Sequence, residues 1–183
     1  MKFVKIPVLV VLMLCVVGSC IAAKKYTDKS SLCRIKIGDT FTSVIRQYGK
    51  TYKFTTLREM ENIHALIYND PKTDAQLIIT CGVYPFRGIA KAKVDGIHLK
   101  QGRYRGKRHF ANKTFAKTGT AEDITLGATK RQIRKKYPSV VFFTEDNKEL
   151  GNIFLGIAND LAVSYEFTFS KGAAVKISLV CSQ

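Results

Sequence analysis

The chain has 183 residues, with 30 Lys and Arg against 14 Asp and Glu, a formal net charge of +16. That length accommodates one globular domain or two small modules with a real core. A 46% hydrophobic content with only 4 prolines excludes a disordered chain, and the positive excess favours anionic surfaces or an acidic protein as partner.

Residues 1–23 read as a targeting segment. Lys2 and Lys5 make a short positive start, residues 6–17 are almost wholly apolar, and Gly18 and Ser19 precede Cys20. That is the layout of a secretory signal peptide. The stretch Val16-Val17-Gly18-Ser19-Cys20 resembles the lipobox of bacterial lipoproteins. The resemblance implies cleavage before Cys20, a diacylglycerol on its thiol as membrane anchor and, with Ile21 rather than Asp following, an outer-membrane address facing the periplasm. Two alternatives compete. Ordinary signal peptidase could cut near Ala22 or Ala23, giving a secreted protein. Residues 6–23 could instead stay as an anchor, although Pro7, Gly18 and Ser19 make them marginal for a span. Each alternative places the remainder outside the cytoplasm, so nucleic acid is not an expected partner. Removal of residues 1–23 takes the charge from +16 to +14, because Lys2 and Lys5 leave and no acidic residue does.

Cysteine use follows from the same choice. Cys15 leaves with the leader, and a lipidated Cys20 leaves Cys33, Cys81 and Cys181. In an oxidising compartment one disulfide among them is expected, with one thiol to spare; without lipid, four cysteines allow two disulfides in three connectivities. A Cys33–Cys181 bridge would fasten the two ends of the domain; pairing with Cys81 is equally open. None has the C-x-x-C spacing of a metal site, and no cofactor is expected.

The remaining chain reads twice. Gly38, Thr40, Val44 and Tyr48 recur as Gly127, Thr129, Ile133 and Tyr137, all at an offset of 89, and Asn69-Asp70 recurs one residue later as Asn159-Asp160. Such agreement argues for duplication. Each copy is predicted to open with a short helix. Thr40 and Thr129 are the N-caps, Thr129 and Gln132 have capping-box spacing, and Gly49 and Pro138 are stops. Phe41, Val44, Ile45 and Tyr48 form one apolar face. Strands are predicted at 52–55, 63–68, 76–83 and 89–94, then at 140–144, 152–157, 162–169 and 174–181. In the last-but-one, Val163, Tyr165, Phe167 and Phe169 share a face. The expectation is an α+β protein of two tandem modules, each a short N-terminal helix packed on an antiparallel three- or four-stranded β-meander. The division is 24–98, a basic connecting segment 99–121, and 122–183.

A G-x-T-x-x-x-[VI] helix start followed by a meander, at Gly38-Thr40-Val44 and Gly127-Thr129-Ile133, resembles the superfamily of the SmpA/OmlA-type outer-membrane lipoproteins and the β-lactamase inhibitor protein. The resemblance covers most of residues 33–181. It implies a non-catalytic protein that binds another protein through its sheet surface.

The charge is concentrated. No acidic residue interrupts 100–117, where Lys100, Arg103, Tyr104, Arg105, Lys107, Arg108 and Phe110 stand close together with Lys113 and Lys117 behind. One reading is a solvated linker or an edge hairpin protected by charge. The other is a strap contacting anions, its aromatic rings stacking beside the cations. The second helix adds Lys130, Arg131, Arg134, Lys135 and Lys136. Of these, Lys130 and Arg131 sit in the first turn, where the helix dipole disfavours cations by ~0.3–1 kcal/mol each.

Nothing demands catalysis. His64, His98 and His109 lack metal-binding spacing, and no G-x-S-x-G elbow is present. A Cys81–His64 nucleophile pair across adjacent strands is conceivable but motif-free. Three functions remain in view. The preferred one is an envelope-anchored protein docking another envelope protein. The others are an electrostatic binder of anionic lipid or polysaccharide, and a secreted enzyme inhibitor.

Overall fold

The computed structural model describes residues 30–57, 63–82, 88–105, 108–158 and 161–182. Residues 1–29, with the expected lipidation site Cys20, Lys107 of the basic segment and Asn159-Asp160 of the repeat lie outside the described residues. Among the described residues there are two α-helices, α1 (Phe41–Tyr48) and α2 (Lys130–Lys136). Eight strands follow them in the order of the chain. β1 (Lys53–Leu57), β2 (Ile63–Asn69), β3 (Ala75–Cys81) and β4 (Gly96–Gln101) come after α1, and β5 (Val141–Glu145), β6 (Lys148–Ala158), β7 (Leu161–Ser170) and β8 (Ala173–Ser182) after α2. They form one antiparallel sheet in the order β1-β2-β3-β4-β8-β7-β6-β5. The protein is α+β and mostly β.

Both helices start where local chemistry dictates. The Thr40 side chain accepts from the Ser43 amide at 3.1 Å. At α2 the box is reciprocal: Thr129 accepts from the Gln132 amide at 3.3 Å, and the Gln132 side chain accepts from the Thr129 amide at 2.8 Å. Gly49 ends α1 at φ +98, and a Cβ there would run into the Asn112 side chain. Replacement of Thr129 by Ala is expected to lower stability by about 1 kcal/mol, read as a shift in the urea midpoint at constant slope. An unchanged midpoint would show that packing alone holds α2.

Cross-strand partners share a face, so the register sorts the sheet. Phe54, Leu66, Ile79, Ile97, Leu179, Tyr165 and Ile153 make one row across seven strands. This face carries the core and the helices: Tyr48 of α1 meets Tyr68 at 5.9 Å between ring centroids, and Tyr137 beyond α2 meets Tyr165 at 5.6 Å. The opposite face carries Lys53, Ile67, Ile78, His98, Ser178, Glu166, Asn152 and Val141 in one row.

The structure corrects the expected course of the chain in two places. Residues 89–94 are not a strand. After Gly88 at φ +92 they form a 3-10 turn (Ile89–Lys91), and the following residues latch onto the entry of α1 through Phe41 N to Ala92 O (3.0 Å) and Gly38 N to Val94 O (2.7 Å). The strand begins later, at Gly96, so Lys100 belongs to β4 and the expected boundary at 98/99 falls inside that strand.

The second correction concerns the connecting segment, which is no solvated linker. Ala111, Phe115 and Thr120 are buried, with Phe115 edge-on to Tyr48 at 5.9 Å. Leu32 pairs with Thr120, which brings the start of the described chain into the same layer. The described charges of this segment are exposed, while its apolar residues complete the core over α1.

Asp70 fastens that layer to the sheet. It is fully buried at the β2–β3 turn. Its Oδ1 accepts from the amides of Lys72 and Thr73, both at 2.9 Å, and its Oδ2 accepts from Thr114 Oγ1 (2.7 Å) and the amides of Phe115 (2.7 Å) and Ala116 (2.9 Å). Burial alone would raise its carboxyl; the bonds from Ala116, Thr114, Phe115 and Lys72 outweigh that and hold it below the ordinary carboxylate value.

Candidate functional site

The expected basic residues divide into two groups. The first surrounds a loop held by the buried side chain of Asn69, whose Nδ2 donates to the carbonyls of Tyr104 (3.0 Å) and Arg108 (2.5 Å) and whose Oδ1 accepts from the Tyr104 amide (2.8 Å). Arg103 donates to the Thr73 carbonyl from Nε (3.3 Å) and Nη2 (3.2 Å) and lies over the Phe110 ring at 5.4 Å. Arg105 lies over Tyr104 at 5.5 Å. Lys53, Tyr104, Arg105, Arg108 and His109 line a cavity of about 230 Å³. The stacking expected for Tyr104 and Phe110 is thus present, but within the protein, where it orients the guanidinium groups.

The second group is α2. Lys130, Arg131, Arg134 and Lys135 line a cavity of about 560 Å³ with Phe142. Arg134 lies over the Phe142 ring at 5.0 Å and Lys130 at 5.8 Å, and Lys130 also meets Glu149 at 3.1 Å. These contacts offset the unfavourable first-turn position of Lys130. Lys100 belongs to neither group. It is exposed on β4, directly across from Lys176 of β8, a like-charge pairing that costs stability unless an anion lies nearby.

The resemblance implied binding through a sheet surface, but none of the exposed residues on the opposite face was named from the sequence. Its register partners Val141 with Asn152, Phe143 with Leu150, Phe154 with Ser164 and Ile157 with Ala162 bring four large apolar side chains to one side. Val141 is 63% exposed, Phe154 59%, Phe143 43% and Ile157 41%. Residues 140–143 form an unbroken apolar run in the sequence, so alternation gives no clue to which members face outward. His98 lies on this face, its Nδ1 2.9 Å from Ser178 Oγ. Burial first, and the Lys176 charge second, bring its pKa down to about 4.

Among the described residues the cysteines do not pair. Cys33, Cys81 and Cys181 are free thiols, and the topology gives the reason. Cys33 lies by the Phe115 carbonyl, to which its Sγ donates at 3.7 Å, near the Asp70 end of the sheet. Cys81 ends β3, roughly 20 Å away along the strand. Cys81 and Cys181 flank Asp95 on opposite sides of β4. Two strand spacings, about 10 Å, exceed the reach of a disulfide, whose Cα atoms lie within about 7 Å. Burial pushes the Cys33 thiol up, and the Asp70 charge adds to it.

His64 and Cys81 are register partners, as imagined from the sequence. Cys81 is fully buried, however, and His64 stacks on Phe54 at 5.8 Å with Nδ1 3.2 Å from Thr56 Oγ1. A nucleophile needs an approach for its substrate, and this sulfur has none.

Comparison of the chain with protein-family models, with curated proteins and with solved structures gives no match.

Proposed function

We propose that this chain is a non-catalytic, envelope-anchored binding protein that docks another envelope protein on the open sheet face over β5 and β6. One observation carries the reading: Val141, Phe143, Phe154 and Ile157 stand exposed together on the side away from the helices. Soluble proteins seldom leave such clustered apolar area uncovered without a partner for it. The finer architecture proposed is a duplication. Each helix is followed by its own four-stranded meander, and the two meanders join at their last strands, β4 and β8. The 89-residue offset of the helix motifs and the resemblance to the SmpA/OmlA and β-lactamase-inhibitor superfamily support the same view. The lipobox-like stretch before Cys20 supports the anchor.

The test is a pull-down from envelope extract at low and at high salt, with the native chain and with a Phe143→Ser, Phe154→Ser double variant. A defined protein retained by the native chain at high salt and lost by the variant is the expected result. Equal capture by both chains, or no protein captured at either salt, would sink the docking reading.

A second reading is an electrostatic binder of anionic polymer or lipid, which the like-charge pair Lys100–Lys176 and the basic face of α2 favour. In the same experiment it appears as lipid or polysaccharide captured at low salt only.

A further inference from the structure

On the helix side of the sheet, away from the open face, Arg34, Lys113 and Lys117 converge on one cavity of about 310 Å³, whose remaining walls are Tyr48, Thr114 and Thr118. We infer that this cavity is a binding site for a phosphate monoester, held by the three cations of Arg34, Lys113 and Lys117.

Several independent features put the three charges in one place. Arg34 comes from a tight turn closed by Leu32 N to Ile35 O and Ile35 N to Leu32 O, both 3.0 Å. Its two central residues, Cys33 at φ +54 and Arg34 at φ +61, are left-handed without being glycine. That conformation is unfavourable for each of them, and it brings the exposed Arg34 beside Tyr48. Lys113 stands over the Tyr48 ring with Nζ 5.5 Å from its centroid. Lys117 follows in a turn closed by Thr118 N to Phe115 O at 2.9 Å.

The scaffold beneath is fixed. Tyr48 is buried and donates its hydroxyl to the Cys33 carbonyl, and Asp70 holds Thr114, Phe115 and Ala116. Among the described residues the ion pair seen is Lys130–Glu149, so none of the three cavity cations is matched to a carboxylate there. Three like charges assembled on a rigid frame repel one another, and a dianion between them removes that repulsion.

The chemistry of the walls narrows the ligand. Thr114 commits its hydroxyl hydrogen to Asp70, and Thr118 commits its own to the Phe115 carbonyl at 2.6 Å. Neither remains as a donor, so recognition rests on charge rather than on neutral hydrogen bonds. A fork-shaped guanidinium with two ammonium groups suits the three terminal oxygens of a phosphate monoester. The volume lies at the lower end for ligand sites; it takes a phosphate with a small attached group, or the exposed headgroup of a lipid whose chains stay outside. This inference does not depend on the docking face, which lies on the other side of the sheet.

The experiment is calorimetric titration of the full chain with inorganic phosphate at low salt. It is run alongside flotation with phosphatidylcholine vesicles, with and without phosphatidic acid. Three chains are compared: native, an Arg34→Gln, Lys113→Gln, Lys117→Gln variant, and an Arg46→Gln, Lys91→Gln, Lys93→Gln control that loses the same charge from exposed positions elsewhere. Saturable one-to-one phosphate binding is expected, weakened about tenfold or more in the first variant and nearly unchanged in the control. Flotation only with phosphatidic acid, lost in the same variant, identifies a lipid headgroup as the source. Phosphate binding without flotation identifies a soluble monoester.

Equal weakening in the two variants would overturn the site in favour of diffuse charge, as would absence of both binding and flotation in the native chain. Should the triple variant fail to fold, Arg34→Gly answers the question. Glycine adopts the left-handed turn freely, so that chain keeps its fold and is expected to bind phosphate about tenfold more weakly; unaltered binding by it overturns the assignment.

Discussion

Replacing Asp70 by Asn is expected to lower the stability of the protein by about 3–5 kcal/mol, although the two side chains have the same shape. The carboxylate accepts five hydrogen bonds, two within the β2–β3 turn and three from residues 114–116. An amide can offer its oxygen to one side only, and its NH2 then faces donors that have no other acceptor. Buried donors left without partners cost about 1–3 kcal/mol each. Urea unfolding at neutral pH, followed by circular dichroism, measures the change, and a loss below about 1 kcal/mol would show that the connecting segment holds without this anchor.

The same carboxylate gives an acid-side dependence. Its folded value lies below the ordinary one, so its contribution is complete above about pH 4. It disappears as the pH falls further, through the folded value. The Asn variant is expected to lack that part of the acid loss.

His98 governs a separate window. With its folded pKa near 4, it stays neutral in the folded protein while the unfolded chain takes up a proton at about 6.5. The unfolded state therefore binds more protons between these values, and stability falls as the pH is lowered across them. Above about pH 6.5 the residue contributes no slope. The total loss by pH 4 is on the order of 3 kcal/mol. A His98→Gln variant keeps a hydrogen-bonding group beside Ser178 and is expected to show a flat profile from pH 7 to pH 5. If native and variant chains lose stability in parallel, His98 is not the titrating group.

What could be read from the sequence was local. Thr40, Thr129, Gln132 and Gly49 act on neighbours three or four residues away, so the helix ends are where their spacing places them. The alternation of Val163, Tyr165, Phe167 and Phe169 likewise fixes the buried face of β7. Long-range pairing left no such trace. Asn69-Asp70 reads as a turn signal, yet the two side chains hold atoms 35 to 46 residues away. The strand expected at 89–94 failed because its apolar residues serve the entry of α1 rather than the sheet.

The basic segment misled for a related reason. Its charges dominate the composition, whereas Ala111 and Phe115, spaced among them, decide where it lies. Arg34, remote from that segment in sequence, shares a cavity with Lys113 and Lys117 only because the chain folds back through Leu32 and Thr120. The disulfide expectation assumed proximity for thiols that the sheet keeps at separate strands and opposite ends.

The seam between β4 and β8 carries a consequence for how the chain is made. Strand β4 finds one neighbour, β3, early, but its other neighbour is the last of the eight strands in chain order. During synthesis, the first half therefore emerges with β4 as a naked edge. The backbone groups of that edge stay open to foreign strands until β8 arrives. The exposed charge of Lys100 near the end of β4 discourages such pairing in the interval. Final closure then joins residues about 80 positions apart, 98 with 178 among them. A chaperone acting on this protein has the β4 edge to shield, for the time it takes about 80 further residues to appear.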